Sequence, residues 1–307
     1  MSLPLRQTIP NELLTLRDWV RWASSEFRRA ELFFGHGTDN DWDEALVLAL
    51  WAIDQPWSRL ELIWDTKLVD SEKNRFHKAV TQRIQQRCPA AYITGEAWFA
   101  GERYIVNEHV LVPRSPIAEM IDHQFQPWLT DYPETILDLC TGSGCIGIAC
   151  ALEFSDAHVD LIDISNEALE VANKNIALHG LNDRVRALAS DGLSALDDER
   201  YDLIVSNPPY VSEDEYASLP EEFKIEPKLG LTSGADGFDF VRTLLKNASS
   251  FLNEQGLLVV EVGHGWEQLM HAIPEYPFLW PEFENGGCGV FVLTKSQLDE
   301  VNNPLNH

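Results

Sequence analysis

Residues 135–147 read TILDLCTGSGCIG, and the order of residue types in this stretch decides the fold. Thr135 to Leu139 is a short apolar, β-prone run, followed at once by a loop in which Gly142, Gly144 and Gly147 satisfy the spacing G-x-G-x-x-G at the start of a helix. Glycine permits a tight turn and lets a ligand approach the main chain with no Cβ in the way. A helix start adds unpaired N–H groups. Asp163 ends the next β-prone run, 21 residues after Gly142, where a carboxylate accepts hydrogen bonds from both hydroxyls of a ribose. An adenosine-type ligand is implied. Nicotinamide, flavin and S-adenosylmethionine enzymes all need this loop-and-ribose geometry. Asp138, just ahead of the glycines, favours the last, because it suits a cationic amino group and sulfonium and would repel a pyrophosphate. Asp191-Gly192 closes the third strand, where the Asp191 side chain or the Gly192 N–H meets an adenine edge.

Outward from the loop, β-prone runs at Thr135–Leu139, His158–Asp163, Val185–Ser190, Tyr201–Ser206 and Gly256–Val262 alternate with helical segments. That alternation predicts an α/β, Rossmann-like parallel sheet with right-handed crossovers. Phe278–Phe283 and Gly289–Leu293 flank Asn285-Gly286-Gly287 and predict a terminal antiparallel hairpin on the sheet edge. Upstream, the pieces AWFAGERYIV and HVLVP between Ala97 and Pro113 predict a β-hairpin linker, which runs through Arg114 between Pro113 and Pro116 into a helix over Ile117–Phe125. The first ninety or so residues carry apolar positions at helical spacing: Leu13, Leu16, Val20, Ala23 and Phe27; Ala45, Leu48 and Ala52 behind Asn40 and Asp41; Phe76, Val80 and Ile84. They predict a small helical domain, with Trp19, Trp22, Trp42, Trp51, Trp57 and Trp64 read first as its core, the alternative being that a few form a docking surface for a partner. The expected organisation is therefore a helical domain over 1–96, a linker over 97–116 and a Rossmann-like domain over 117–307.

The fourth strand runs straight into Asn207-Pro208-Pro209-Tyr210. Ligands of open α/β sheets sit beyond the carboxyl ends of the strands, so this tetrapeptide faces the same crevice as the glycine loop. Two prolines hold the chain extended and rigid. Asn207 Oδ1 and the Pro208 carbonyl are then two acceptors for one planar NH₂ group, and Tyr210 offers a flat face against its π system. Such a clamp aims a nitrogen lone pair at an electrophilic methyl.

Lys plus Arg number 23 and Asp plus Glu 49, for a formal charge of −26. A surface so acidic repels phosphate backbones and anionic headgroups and attracts a basic partner. No nucleic-acid or membrane binding is expected. MSLPLRQTIP does not read as a signal peptide, and the chain is expected in the cytoplasm. The five cysteines, Cys88, Cys140, Cys145, Cys150 and Cys288, lack a C-x-x-C pair and predict free thiols and no metal site.

Taken together, PAAYITG at 89–95, LVPRSP at 111–116, DLCTGSG at 138–144 and NPPY at 207–210 resemble the HemK-type protein-glutamine methyltransferases over nearly the whole chain. GHGTDNDWDEA at 35–45, AWFAG at 97–101 and Cys140 in place of the commoner glycine look like the branch acting on a glutamine of large-subunit ribosomal protein L3. The resemblance implies S-adenosylmethionine as cofactor and basic ribosomal protein L3 as partner, recognised by the N-terminal domain. It implies cofactor contacts from Cys140, Thr141, Gly142, Ser143, Gly144, Asp163, Gly192 and Asn207. The glutamine amide is implied to sit against Asn207, Pro208, Pro209 and Tyr210, with Arg114 nearby. Competing readings are glutamine methylation of release factors, adenine amino methylation of nucleic acid, and a noncatalytic ribosome assembly factor.

Overall fold

The computed structural model describes residues 12–303, and the opening segment read for a signal peptide lies outside them. By packing, the chain divides into two units: residues up to Ala97 together with Pro220–Ile225, and Trp98–Leu219 together with the chain from Glu226 onward. The boundaries expected from sequence differ in two places, putting 220–225 in the Rossmann-like domain and setting 97–116 apart as a linker.

In the first unit the apolar spacing forms helices over Leu16–Arg29, Asp41–Ala52 and Asp70–Gln86. Thr15 and Asp18 form a capping box at the first, and Asn40 Oδ1 accepts from Asp43 N at the second. Leu16, Trp19, Val20, Phe27, Leu48 and Phe76 are fully enclosed. The tryptophan expectation is corrected in part: Trp19 and Trp22 are core, Trp51 and Trp64 are half-buried, and Trp42 and Trp57 are exposed. Both stand at element ends, Trp42 in the first turn of its helix and Trp57 on a single 3-10 turn. This core also holds charge. Arg83, 1% exposed, donates from Nε to Glu44, from Nη1 to Glu222 Oε1 (3.2 Å) and from Nη2 to the Phe33 carbonyl (2.7 Å). Glu222 brings the segment Pro220–Ile225 into this unit, and its Oε1 also accepts from Phe33 N and Arg87 Nη1.

The second unit opens with strands β1 (Glu96–Phe99, which starts in the helical unit) and β2 (Glu102–Ile105), paired as a two-stranded hairpin. Its turn is Ala100-Gly101, both with positive φ. HVLVP forms no strand, which corrects the second half of that expectation. Pro113 lacks a donor, and Val112 N is spent on Glu226 Oε1 at 2.9 Å. The expected helix after it runs over Ile117–Asp122 and ends before Phe125.

Six strands follow: β3 (Thr135–Leu139), β4 (His158–Asp163), β5 (Val185–Ala189), β6 (Tyr201–Ser206), β7 (Leu252–Glu261) and β8 (Val290–Thr294). Their order is β5-β4-β3-β6-β7-β8, parallel except for β8. The chain leaves β3 for β4 on one side and returns to β6 on the other, so a crevice opens beyond the ends of β3 and β6. Side chains alternate between two cores. Ile136, Val159, Leu203 and Val205 pack on one face with the helix Cys145–Glu153; Leu137, Leu139, Ile204 and Leu258 pack on the other with Asp239–Asn247. The terminal hairpin is corrected: β8 pairs with β7, and Phe278–Phe283 contributes only the bridge Leu279–Val292.

Replacing Arg83 by Met strands two carboxylates in the helical core. Urea unfolding is expected to show a loss of about 3–5 kcal/mol, whereas Lys73→Met, at a surface pair, should shift the midpoint little.

Candidate methyl-donor and substrate site

The loop after β3 is built from beneath. Thr141 N donates to the Ile162 carbonyl (2.9 Å), Gly144 N to the Thr141 carbonyl (2.9 Å), and the buried Asn175 ties the Ser143 carbonyl (2.8 Å) to both main-chain groups of Ile105. Cys140, Gly142 and Gly144 all have positive φ (61°, 55° and 82°). A Cβ on Gly142 would meet nothing within 4 Å, because the position opens into a cavity.

That cavity, about 250 Å³, lies at the carboxyl ends of β3, β4 and β6. Of the residues predicted from sequence, it brings together Cys140, Thr141, Gly142, Ser143, Asp163, Asp191, Gly192, Asn207, Pro209, Tyr210 and Arg114. Asp163 Oδ2 accepts from Gly142 N (2.9 Å) and Oδ1 from Ser165 N (2.9 Å). Each oxygen thus keeps acceptor capacity toward the cavity. Burial pushes this carboxyl above the usual range, against the pull of those donors.

Three expectations are corrected. Asp138 does not line the cavity. Residues 136 and 138 share a face of β3, so its side chain points under the helix, 1% exposed, where Oδ2 accepts from Thr141 Oγ1 (2.6 Å) and Gly147 N (2.8 Å). Gly144 is absent from the wall as well; a Cβ there would press on Ile148 and Leu161 at 3.1 Å, so its role is packing. Pro208 is buried, and the wall is made by its neighbours.

The NPPY segment is fixed by main-chain bonds. Tyr210 N (3.1 Å) and Val211 N (2.8 Å) donate to the Leu231 carbonyl, and Ser206 Oγ binds the Leu139 carbonyl (2.6 Å). Arg114 makes a bidentate pair with Glu226 (2.7 and 2.6 Å), whose side chain is wholly enclosed. Its predicted substrate contact is therefore joined to a structural one.

The sequence matches known proteins across this architecture. Residues 124–226 match the model of the methyltransferase small domain, and residues 18–95 that of the PrmC N-terminal domain. A ribosomal protein uL3 glutamine methyltransferase of Francisella tularensis subsp. tularensis (strain SCHU S4) is 45% identical over 295 residues, covering 95% of this chain and 94% of that one. Its counterpart from Bordetella pertussis is 43% identical, covering 94% and 97%. This chain belongs to the ribosomal protein uL3 glutamine methyltransferase family. Among solved structures, the hMettl16 catalytic domain in complex with MAT2A 3'UTR hairpin 1 is 14% identical with a TM-score of 0.52, covering 80% of this chain and 90% of that one, a likeness of fold alone.

In this family member, sequence reasoning missed Asn175, Glu226, Glu261 and Phe240. Phe240 lines the cavity, with Gly192 set so that a Cβ would lie 3.8 Å from its ring. Glu261 left one signal: it is the sole charge in the run LLVVEV at a strand end. Among the described residues no group of three His, Cys, Asp or Glu is placed to hold a metal ion, and no helix is long and apolar enough to cross a membrane.

Burial pushes the Asp138 carboxyl from 3.8 up to about 7. A pKa raised by folding gives stability that is complete below the unfolded value and lost as pH rises through the folded one. The stability of the wild type relative to Asp138→Asn is therefore expected to be greatest at about pH 3.8 and below, to fall as pH rises to about 7 and to level off above that, read by urea denaturation.

Proposed function

We propose that this chain transfers a methyl group from S-adenosylmethionine to the side-chain amide nitrogen of a glutamine in ribosomal protein uL3. The observation that carries the proposal is the one cavity shared by Asp163 with the glycine loop and by Asn207 with Tyr210. The names of the relatives supply the substrate protein.

The open position at Gly142, the acceptor capacity of Asp163 and the Gly192–Phe240 wall fit a nucleoside. Asp163 would hold the ribose hydroxyls, Cys140–Ser143 the adjoining chain, and Asp191 and Gly192 the adenine edge. When bound, S-adenosylmethionine supplies the electrophilic methyl. An amide nitrogen is a poor nucleophile because its lone pair is delocalised. Asn207 Oδ1 accepts from the NH₂ group and Tyr210 packs on the amide plane, which orients the nitrogen and favours its developing ammonium character. The Pro208 carbonyl, between the wall residues Asn207 and Pro209, would be the second acceptor for that NH₂ group. The extra proton passes to water, since an N-protonated amide is a strong acid. The charge of −26 complements a basic ribosomal protein and disfavours nucleic acid.

The test is transfer of labelled methyl to unmethylated uL3, with release factor and DNA in parallel. Label in uL3 alone supports the proposal; label only in release factor or only in DNA would replace it. Asn207→Ala is expected to lower turnover by about a hundredfold or more while cofactor affinity stays within about threefold. Asp163→Ala should instead weaken cofactor binding by about tenfold or more, measured by calorimetry; an unchanged affinity would remove the ribose assignment.

A further inference from the structure

The phenol of Tyr210 is held at its far end. The ring lies on the main chain of Gly263, where φ is +53° and a Cβ would stand 2.8 Å from ring Cε2 and 3.1 Å from the hydroxyl oxygen. That hydroxyl donates to Glu261 Oε1 at 3.2 Å. Glu261, the last residue of β7, is 6% exposed, and its Oε2 accepts from Ser115 Oγ at 2.5 Å. Ser115 Oγ in turn accepts from Ile117 N (3.1 Å), which orients the hydroxyl toward the carboxylate. Glu261 does not line the cavity, whereas Tyr210 and Ser115 both do. A carboxylate buried against two neutral hydroxyls is costly to keep. Nothing in the transfer chemistry above requires it.

We propose that Glu261 is a positioning residue: by accepting from Tyr210 and Ser115 at once, it fixes the angle at which the Tyr210 ring faces the substrate amide. This inference rests on the reading of Tyr210 as the face that packs on that amide. The charged form receives both hydroxyls. A protonated carboxyl carries an O–H of its own and is a weaker acceptor than the charged form, which loosens its hold on the ring. The groups facing Glu261 are the Tyr210 phenol, the Ser115 hydroxyl and the Arg114 guanidinium, itself engaged by Glu226. Burial pushes the Glu261 carboxyl up to about 7, against the pull of the two hydroxyls and of Arg114. Positioning should accordingly tighten as pH rises through that value.

The experiment compares Tyr210→Phe, Glu261→Gln and Ser115→Ala, together with the last two combined with Tyr210→Phe, measuring kcat and KM for uL3 methylation, cofactor affinity and the pH profile of kcat. Tyr210→Phe and Glu261→Gln are each expected to lower kcat about tenfold, with cofactor affinity within about twofold, and their double should be no worse than either single. The rise of kcat between about pH 6 and 8 should flatten in Glu261→Gln. Equal further loss on combining the two, or a wild-type kcat and pH profile in Glu261→Gln, would overturn the inference. Should Glu261→Gln not fold, Ser115→Ala carries the test: a loss of about threefold that vanishes in the Tyr210→Phe background supports positioning, and an additive loss overturns it. Tyr210→Ala separates the two levels. Collapse of turnover there, with Glu261→Gln normal, removes only the positioning role, whereas normal turnover in Tyr210→Ala removes the stacking reading itself.

Discussion

The helix that starts at Cys145 lies against the sheet so closely that no side chain fits at position 147. A Cβ there would stand 2.2 Å from Leu161 Cδ2 and 2.8 Å from Asp138 Cβ. This approach delivers the Gly147 N–H to Asp138, and the same carboxylate oxygen takes Thr141. Contact between helix and strand therefore sets the loop from below and leaves its upper side for a ligand. Cys140 bears the strain of this arrangement. A side chain in the left-handed region costs about 1–2 kcal/mol, and it is retained where the loop is overdetermined by its neighbours.

The sheet was legible because its strands are buried on both faces and read as apolar runs between turn residues. Asp163 and NPPY were legible because strand ends and a double proline fix where a side chain must point. What escaped reading depends on partners far away in sequence. Glu226 takes Val112 N from what would have been a strand, and Asn175 joins a hairpin to a loop through one amide. Asp138 was a different kind of miss. Its parity with Ile136 was visible in the sequence, and a period of two places it under the helix rather than in the crevice.

Several of the arginines are engaged by carboxylates or main-chain carbonyls. Arg83 and Arg87 bind Glu222, Arg114 binds Glu226, Arg186 binds Asp160, and Arg184 donates to the carbonyls of Ala151, Phe154 and Ala157. Glu222 is held below the usual range, its neighbouring N–H donors and Arg83 outweighing the opposing effect of burial. A positive charge so occupied adds little to the outward field. Each ion pair withdraws a charge of either sign, so the net charge of −26 stands for the whole molecule, and a lysine- and arginine-rich protein is drawn to it at longer range.

The segment Pro220–Ile225 belongs to the helical unit although some 120 residues separate it from Ala97 along the chain. Glu222, which this segment carries, is a built-in partner of Arg83. The helical unit is thus not a removable module. A chimera that exchanged only the first 97 residues between relatives would mate one parent's arginine with the other's glutamate, and its success would depend on whether both halves of that buried pair travelled together.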